Sequence, residues 1–173
     1  MFHALQTTDV ALVGGAVSGH KPFTGTLTVS QQGEAAQLNI INGMFYNISH
    51  YDADCVQSDT VINFFMADSA QIRSFGAWDP KQMYNEHEDF FIKLKLAGYK
   101  VLSCKDVQLR HNAVKTYHVE GVKSRRYLTQ FLNKRGLAVY VMCGKSQSVC
   151  QGEYCKCATG WTFVNQENNN LLP

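Results

Sequence analysis

The hydrophobic pattern of the first 30 residues predicts two strands. Residues 11–17 form an apolar run around Gly14 and Gly15, which is typical of a buried strand that ends in a turn. Residues 24–30 alternate between polar and apolar side chains and are rich in β-branched residues. This second pattern predicts a strand with one face in water.

The next apolar segments predict further short strands. Residues 37–41 and 44–48 are two strand candidates, and Asn42-Gly43 between them is a strong hairpin signal. The continuous apolar run over residues 60–67 fits either a buried strand or a short buried helix, because its periodicity does not distinguish the two.

The clearest helix is predicted over residues 86–97. Phe90 and Leu94 lie on one face of it, its first turn is acidic, and Gly98 follows its last turn. Helices and strands alternate here, which predicts an α/β fold with a mixed sheet. The other predicted elements are a helix over 70–75 capped by Ser69, a helix over 124–134 capped by Ser124 and closed by Gly136, and strands at 99–103, 107–109 and 139–142.

Composition excludes several classes of protein. The 173 residues are 45% hydrophobic and only 17% charged, so the chain can fill a core and is not intrinsically disordered. The formal net charge of +2 gives no indication of nucleic-acid binding. No apolar run approaches the roughly 20 residues that span a bilayer, and the first residues do not have the pattern of a signal peptide.

Charge is unevenly distributed along the chain. Residues 1–104 carry six basic and ten acidic side chains, whereas residues 105–145 carry nine basic and two acidic ones. The basic segment would suit an anionic ligand such as a diphosphate. An ordinary solvated helix face explains it as well.

Four of the six cysteines fall within fifteen residues near the C-terminus, where the composition becomes small and polar. We predict a boundary near residue 142, with residues 143–173 as a cysteine-rich tail. The density favours an oxidising compartment or a metal site, although paired C-x2-C zinc knuckles are absent. Two disulfides or a structural zinc site are the alternatives for Cys143, Cys150, Cys155 and Cys157.

Three groups of residues are candidates for catalysis or metal binding. Glu86, His87, Glu88 and Asp89 open the predicted helix, where the helix dipole keeps carboxylates ionised, as a general base must be. Dipole complementarity alone would also explain them. His111 follows a strand-like run and would serve as a metal ligand or a structural histidine.

The third group is the Asp-Ala-Asp sequence at residues 52–54. Asp52 and Asp54 flank one residue, a spacing that can hold Mn²⁺ or Mg²⁺. They precede Cys55 in a polar stretch with no clear buried strand before it, so a surface loop is the better interpretation.

The chain resembles the C-terminal half of a GT-A type glycosyltransferase. It is most similar to the β-1,4-N-acetylgalactosaminyltransferases and related family 2-like enzymes, over roughly residues 5–118. Four stretches in the family's order carry the resemblance: TDVALVGG at 8–15, DTVINFFMA at 59–67, WDP followed by EHEDFF within 78–91, and VLSCKDVQLRH at 101–111. The tail resembles part of a tenascin-type EGF-like module, through C-x-C-x-x-G-W at residues 155–161.

The resemblance implies an incomplete GT-A fold. Residues 1–142 would be the acceptor-side part of the domain. The family's metal-binding D-x-D and its nucleotide-binding half would lie before residue 1. This further lowers the weight of Asp52 and Asp54 as metal ligands.

The resemblance also implies roles for particular residues. Asp89 would be the catalytic base, with Glu88 beside it, and His111 would complete a Mn²⁺ or Mg²⁺ site. The acceptor-binding residues would be Asn63, Phe65, Trp78, Glu86 and His87. Lys115, Arg125 and Arg126 would bind the diphosphate.

The implied reaction is an inverting transfer of a sugar, which the resemblance suggests is N-acetylgalactosamine, from a UDP-sugar to a glycan hydroxyl on a glycoprotein or glycolipid. The implied location is the Golgi lumen. This enzymatic interpretation requires Asp89 to lie at the mouth of a cleft, and Asp89→Asn is then expected to abolish transfer and to spare folding. The alternative is a non-catalytic secreted binding or adhesion module.

Overall fold

A computed structural model shows a mixed α/β protein with two mixed sheets and a two-stranded ribbon. The mixed α/β class predicted from the sequence is therefore confirmed. The structure describes residues 1–7, 9–18, 24–32, 35–42, 50–52, 55–82, 85–110, 121–144, 148–151, 154–157 and 161–164. None of the helices in these ranges is long and apolar enough to cross a membrane.

The first sheet has five strands in the order β4-β5-β7-β1-β6. At its centre, β1 runs parallel to β7, and the other neighbours are antiparallel. Its strands are β1 (Val10–Ser18), β4 (His50–Asp52), β5 (Cys55–Ser58), β6 (Phe65–Ala67) and β7 (Lys100–Arg110).

The second sheet has four strands in the order β11-β8-β3-β2. Here β3 pairs antiparallel with β2 and parallel with β8, and β11 pairs antiparallel with β8. Its strands are β2 (Gly25–Gln32), β3 (Ala35–Asn42), β8 (Leu137–Gly144) and β11 (Trp161–Val164), and the separate ribbon joins β9 (Ser148–Gln151) to β10 (Tyr154–Cys157).

The part of the chain that the structure describes contains four helices. They are α1 (Phe2–Thr7), α2 (Ser69–Ser74), α3 (Glu86–Leu96) and α4 (Gly121–Arg135). The main core packs apolar side chains of α3 and α4 against strands of both sheets, with Phe90, Phe91 and Phe131 among its largest members. The opposite face of the first sheet is covered by α1 through Met1, Ala4 and Leu5.

The Gly14-Gly15 pair allows neighbouring segments of the chain to pack closely against β1. A Cβ on Gly14 would lie 2.6 Å from the Cβ of Val61, and one on Gly15 would lie 2.6 Å from the carbonyl oxygen of Val107. No side chain fits at either distance. Gly14 therefore lets the segment before β6 pack directly on β1, and Gly15 lets β7 lie close beside it.

A disulfide joins Cys55 in β5 to Cys104 in β7, where the two residues face each other across an antiparallel pair. Both are buried. The disulfides predicted among Cys143, Cys150, Cys155 and Cys157 stay a prediction, because the side chains of these four residues lie outside the described ones. Cys150 and Cys155 are opposite each other in the register of β9 and β10.

Some predicted elements differ from those observed. The run over residues 60–67 forms a strand only at β6, because Thr60 makes an isolated bridge to Gly25 and the residues between are irregular. The predicted cap Ser69 is wrong, since the carboxylate of Asp68 accepts from the amides of Ala70 and Gln71.

The observed boundaries of two further elements differ from the predicted ones. Helix α4 begins at Gly121, so Ser124 lies inside it and the predicted cap is wrong. The strands predicted at 99–103 and 107–109 are one continuous strand, β7. The strand predicted at 44–48 and most of its hairpin turn lie outside the described residues.

The cysteine-rich tail contributes to the second sheet, since β11 pairs with β8. The predicted boundary near residue 142 falls within β8. The division into a main domain and a tail stays a prediction.

Candidate functional site

The amino end of α3 is the centre of the candidate site. Asn85, the residue before the helix, has a left-handed backbone with φ of 59°, which asparagine tolerates better than most residues. Its side chain makes no capping bond to the helix. The four residues that follow, Glu86, His87, Glu88 and Asp89, point in different directions, and their environments differ accordingly.

An aromatic group lies beside the start of α3. The rings of Trp78 and Phe90 stack with their centroids 3.8 Å apart, and Phe65 stacks on Trp78 at 5.8 Å. The ring of His87 meets Trp78 edge-on at 6.3 Å. Because Trp78 is only half-buried, it offers an apolar surface next to polar groups, the combination that a sugar ring requires.

Glu86 and His87 form a pair that reaches the solvent. Nδ1 of His87 lies 2.9 Å from Oε1 of Glu86, and the two side chains are 25% and 32% exposed. The hydrogen bond from His87 lowers the pKa of Glu86 below its ordinary value. Glu86 is therefore an ionised, accessible hydrogen-bond acceptor beside the aromatic group.

Glu88 points into the protein. Its Oε1 accepts a hydrogen bond of 2.7 Å from the hydroxyl of Tyr140 in β8, and Asn85 also bonds to its carboxylate. Burial raises the pKa of Glu88 above its ordinary value, against the opposing effect of these two bonds and of His87. The buried carboxyl of Glu88, bonded to Tyr140 and Asn85, supports the start of α3.

The raised pKa of Glu88 has a consequence for stability. The unfolded chain loses the Glu88 proton near the ordinary pKa of 4.5 and the folded chain at a higher pH. The stability that this group contributes below pH 4.5 is therefore lost as the pH rises through the folded-state pKa.

Glu88→Gln is expected to remove this loss. The variant should equal the wild type in free energy of unfolding near pH 4 and exceed it at pH 7, because a neutral amide titrates at neither pH. Urea unfolding from pH 4 to pH 8 measures the difference. Glu86 and Asp79, whose pKa values are lowered, contribute to the pH dependence in the opposite direction. Their contributions are the same in both proteins and cancel in the difference between the two free energies of unfolding. A difference that does not change with pH would contradict the expectation.

Asp89 lies inside a network of ion pairs. Its side chain is 1% exposed, and its Oδ1 lies 2.5 Å from Nη2 of Arg135. Its Oδ2 lies 3.1 Å from Nζ of Lys134 and 3.6 Å from Nζ of Lys93. Lys134 also contacts Asp79 at 2.6 Å, so the network links α3, α4 and the turn before α3.

The carboxylate of Asp89 is therefore buried, and both of its oxygen atoms are paired with basic side chains. The catalytic role expected of Asp89 requires its carboxylate to lie at the mouth of a cleft, and the described conformation does not provide this. A carboxylate held by Arg135 and Lys134 cannot reach an acceptor hydroxyl unless both cations withdraw. The assignment of Asp89 as a catalytic base loses its geometric support in this conformation.

The other predicted site residues are placed as follows. Phe65, Trp78, Glu86 and His87 come together as one surface, whereas Asn63 is exposed in the segment before β6. Arg126 is exposed on α4, and the side chain of Arg125 is outside the described residues. His111 and Lys115 are also outside them.

The described residues do not form a site that fits Mn²⁺ or Mg²⁺. Three potential ligands, Cys55, Cys104 and Asp106, lie within 4.8 Å of one another. The two sulfur atoms are joined in the disulfide and do not ligate a metal. Among the carboxylates of α3, Glu88 bonds to Tyr140, Asp89 pairs with cations, and Glu86 contacts His87. A divalent ion therefore stays a prediction.

One groove among the described residues, of about 220 Å³, lies away from this surface. It is lined by Leu27, Thr28, Val29, Ile92, Lys95 and Leu96, between β2 and the second half of α3. None of the predicted site residues lines it. The candidate site is instead the open surface that Trp78 and the Glu86–His87 pair form.

Several residues of the site were missed by the sequence analysis. Lys134 and Arg135 were included in a basic segment but not paired with Asp89, and Tyr140 was predicted only as part of a strand. Asn85 was not singled out. A buried asparagine with positive φ is invisible in the sequence, because neither property leaves a local pattern.

Comparisons with known proteins show a distant similarity to a group of enzymes. Over 113 residues, 62% of its length, the chain is 32% identical to the beta-1,4 N-acetylgalactosaminyltransferase 1 of Rattus norvegicus. The identity is also 32% over 113 residues for the proteins of that name from Homo sapiens and Mus musculus. The chain spans about one fifth of the length of these relatives, with 21% of each covered. No family model matches the chain.

Proposed function

We propose that the chain is the acceptor-side part of an inverting, UDP-sugar-dependent glycosyltransferase of the GT-A type. The similarity to beta-1,4 N-acetylgalactosaminyltransferase 1 carries the proposal, and the surface formed by Trp78, Glu86 and His87 agrees with it. The donor would be UDP-N-acetylgalactosamine and the acceptor a glycan hydroxyl on a glycoprotein or glycolipid. Lys115, Arg125 and Arg126 are the proposed diphosphate ligands.

The acceptor sugar would stack on Trp78. Aromatic rings bind the apolar face of a pyranose, and the nearby carboxylate of Glu86 accepts its hydroxyl hydrogens. His87 fixes the orientation of Glu86 through the 2.9 Å contact. The half-exposed positions of these side chains leave room for a ligand to approach from solvent.

Proton removal requires a base that reaches the attacking hydroxyl. In the described conformation Glu86 is accessible and Asp89 is not. We therefore assign proton removal to Glu86, oriented by His87, with the Asp89 predicted from sequence as the alternative if Arg135 and Lys134 withdraw. General-base catalysis of this kind contributes about 10²–10⁴-fold in rate.

The proposed location is the lumen of the secretory pathway. The disulfide between Cys55 and Cys104 supports an oxidising compartment.

A second candidate is a glycan-binding module without catalysis. The ion pairs that hold Asp89 favour it, because they leave the family's base unavailable. Both functions use the same Trp78 surface. The two functions differ in whether a second sugar is transferred to the bound sugar.

The test measures binding and transfer with the full chain and matched variants. Saccharide binding is followed by ligand-observed NMR, and transfer from UDP-N-acetylgalactosamine to a panel of glycans is followed by mass spectrometry. Glu86→Gln is expected to lower turnover by about 100-fold or more while its unfolding free energy stays within about 0.5 kcal/mol of the wild type. Leu96→Ala, exposed on the same helix, is the control and should change neither.

Each outcome distinguishes the candidates. Turnover that falls in Glu86→Gln supports the transferase and the assignment of Glu86. Turnover that survives in Glu86→Gln but is lost in a folded Asp89→Asn returns the base to Asp89. Binding without turnover supports the glycan-binding module. Absence of both binding and transfer overturns both functions.

A further inference from the structure

The chain on both sides of Trp78 is held by lysine side chains. Before Trp78, Nζ of Lys93 in α3 donates to the carbonyl oxygen of Ala77 at 3.0 Å. After it, Nζ of Lys134 in α4 donates to Oδ2 of Asp79 at 2.6 Å. The backbone that carries this indole is therefore attached to two helices through its immediate neighbours in the chain.

The two lysines meet at one carboxylate. Oδ2 of Asp89 lies 3.1 Å from Nζ of Lys134 and 3.6 Å from Nζ of Lys93. Because the Asp89 side chain is 1% exposed, its attraction for both ammonium groups is only weakly screened by water and salt. Asp89 thus keeps both lysines within reach of the chain around Trp78. We refer to Asp89, Lys93 and Lys134 together as the lysine clamp.

The backbone before Trp78 has a conformation that needs such support. Ala77 has a φ of 43°, in the left-handed region that alanine rarely adopts. Such a conformation persists only where the surrounding contacts determine it. The amide of Ala77 donates to the carbonyl oxygen of Ile72, and its own carbonyl oxygen accepts from Lys93. These two bonds fix the direction in which the chain enters Trp78.

Ring stacking alone does not fix the position of Trp78. Phe90 stacks on its indole at 3.8 Å and Phe65 at 5.8 Å. The centroids of Phe65 and Phe90 are 6.0 Å apart, too close for the two rings to lie on opposite faces of the indole. Since aromatic stacking is favourable over a range of offsets, these contacts alone permit the indole to slide. The bonds to Ala77 and Asp79 remove this freedom.

We propose that the lysine clamp fixes the indole of Trp78 at the place where the acceptor sugar stacks, with Asp89 as its central positioning residue. This inference rests on the proposed glycan-binding surface. A ring that is already in place binds a sugar more tightly, because no side chain has to be ordered on binding. The inward position of Asp89, which withholds it from proton removal, is the position that this role requires.

The test follows Trp78 and sugar binding separately, in the full chain labelled with fluorotryptophan. The chain has two tryptophans, so fluorine NMR assigns Trp78 as the signal that is absent from Trp78→Phe, and the signal of Trp161 serves as an internal reference. Methyl glycosides of galactose, glucose and N-acetylglucosamine are titrated into the same samples. The fluorine signal reports the surroundings of the ring, and the titration reports the affinity.

Lys93→Met removes the contact before Trp78 and keeps the side chain long. It is expected to move the Trp78 signal toward its position in the unfolded chain and to weaken binding of the tightest glycoside about tenfold. Lys95→Met on the same helix is the matched control, because Lys95 also bonds to a backbone carbonyl, that of Leu27, and to a carboxylate, that of Asp59. The control should leave the Trp78 signal and the affinity as in the wild type.

Two further variants test the rest of the clamp. Asp79→Asn removes the carboxylate that Lys134 holds after Trp78, and should shift the Trp78 signal less, since Asp79 is 25% exposed. In a folded Asp89→Asn, a positioning role weakens glycoside binding, whereas loss of a base alone lowers turnover and leaves binding unchanged. If Asp89→Asn does not fold, Lys93→Met and Asp79→Asn decide. Thermal unfolding identifies the variants that are folded.

The failures are distinguishable. If the wild type binds a glycoside, and Lys93→Met and Asp79→Asn bind it equally well with an unmoved Trp78 signal, the role of the clamp is overturned and the glycan-binding surface stands. Weaker binding with an unmoved Trp78 signal, or equal effects in Lys95→Met, also overturns the role of the clamp. If the wild type binds no glycoside, the surface and the role of the clamp are overturned together.

Discussion

Asp89→Asn is expected to lower the free energy of unfolding by about 3–5 kcal/mol, the range for breaking a buried ion pair. The substitution leaves Arg135, Lys134 and Lys93 around a neutral amide, at a position where the carboxylate is 1% exposed. This reverses the expectation from sequence that the variant spares folding. Urea unfolding at pH 7 measures the loss.

Two further variants show where the loss originates. Asp79→Asn removes the other carboxylate that Lys134 contacts, but Asp79 is 25% exposed and its loss should be smaller. Asp89→Asn combined with Arg135→Gln should be less destabilising than the sum of the two single changes, because the charge of Arg135 is then no longer left without its carboxylate. Equal losses in Asp89→Asn and Asp79→Asn would contradict a buried network centred on Asp89.

Removal of the disulfide between Cys55 and Cys104 is expected to destabilise the fold by about 4 kcal/mol, from the chain entropy of the loop it closes. The bridge spans 49 residues of sequence and joins two neighbouring strands of the first sheet. The unfolded chain without it gains many conformations. Unfolding of Cys55→Ala/Cys104→Val against the oxidised wild type measures the effect.

The choice of alanine and valine separates the cross-link from packing. Both residues are apolar and small, so the two buried positions remain filled without polar groups. The wild type treated with a reducing agent should lose a similar amount of stability. A midpoint of unfolding that is the same with and without the reducing agent would show that the bridge does not form.

The local elements were largely predictable from the sequence. Strand β1 follows from its apolar run, and α3 follows from an acidic first turn and the closing Gly98, because these signals lie within a few residues of the element they define. The cap at Asp68 was missed in favour of its neighbour Ser69, since both residue types cap helices equally well. The run over 60–67 was ambiguous because its irregular part depends on Gly14 and Gly15 far away in the chain.

The candidate site was predictable only in part. The sequence pointed to the start of α3 and to Trp78, and the structure brings Trp78, His87 and Phe65 together. The sequence could not show which of the four consecutive residues 86–89 are accessible and which are buried. In the structure Glu86 and His87 are accessible, Glu88 bonds to Tyr140, and Asp89 is paired with Arg135.

The sequence by itself determined the α/β class, the helix that carries the site and the residue types available there. The tertiary structure alone decided which of those side chains meets solvent, since Tyr140, which bonds to Glu88, and Arg135, which pairs with Asp89, lie 52 and 46 residues away along the chain. Hydrophobic periodicity is a local property, whereas the burial and charge pairing of a side chain depend on which distant segments fold against it.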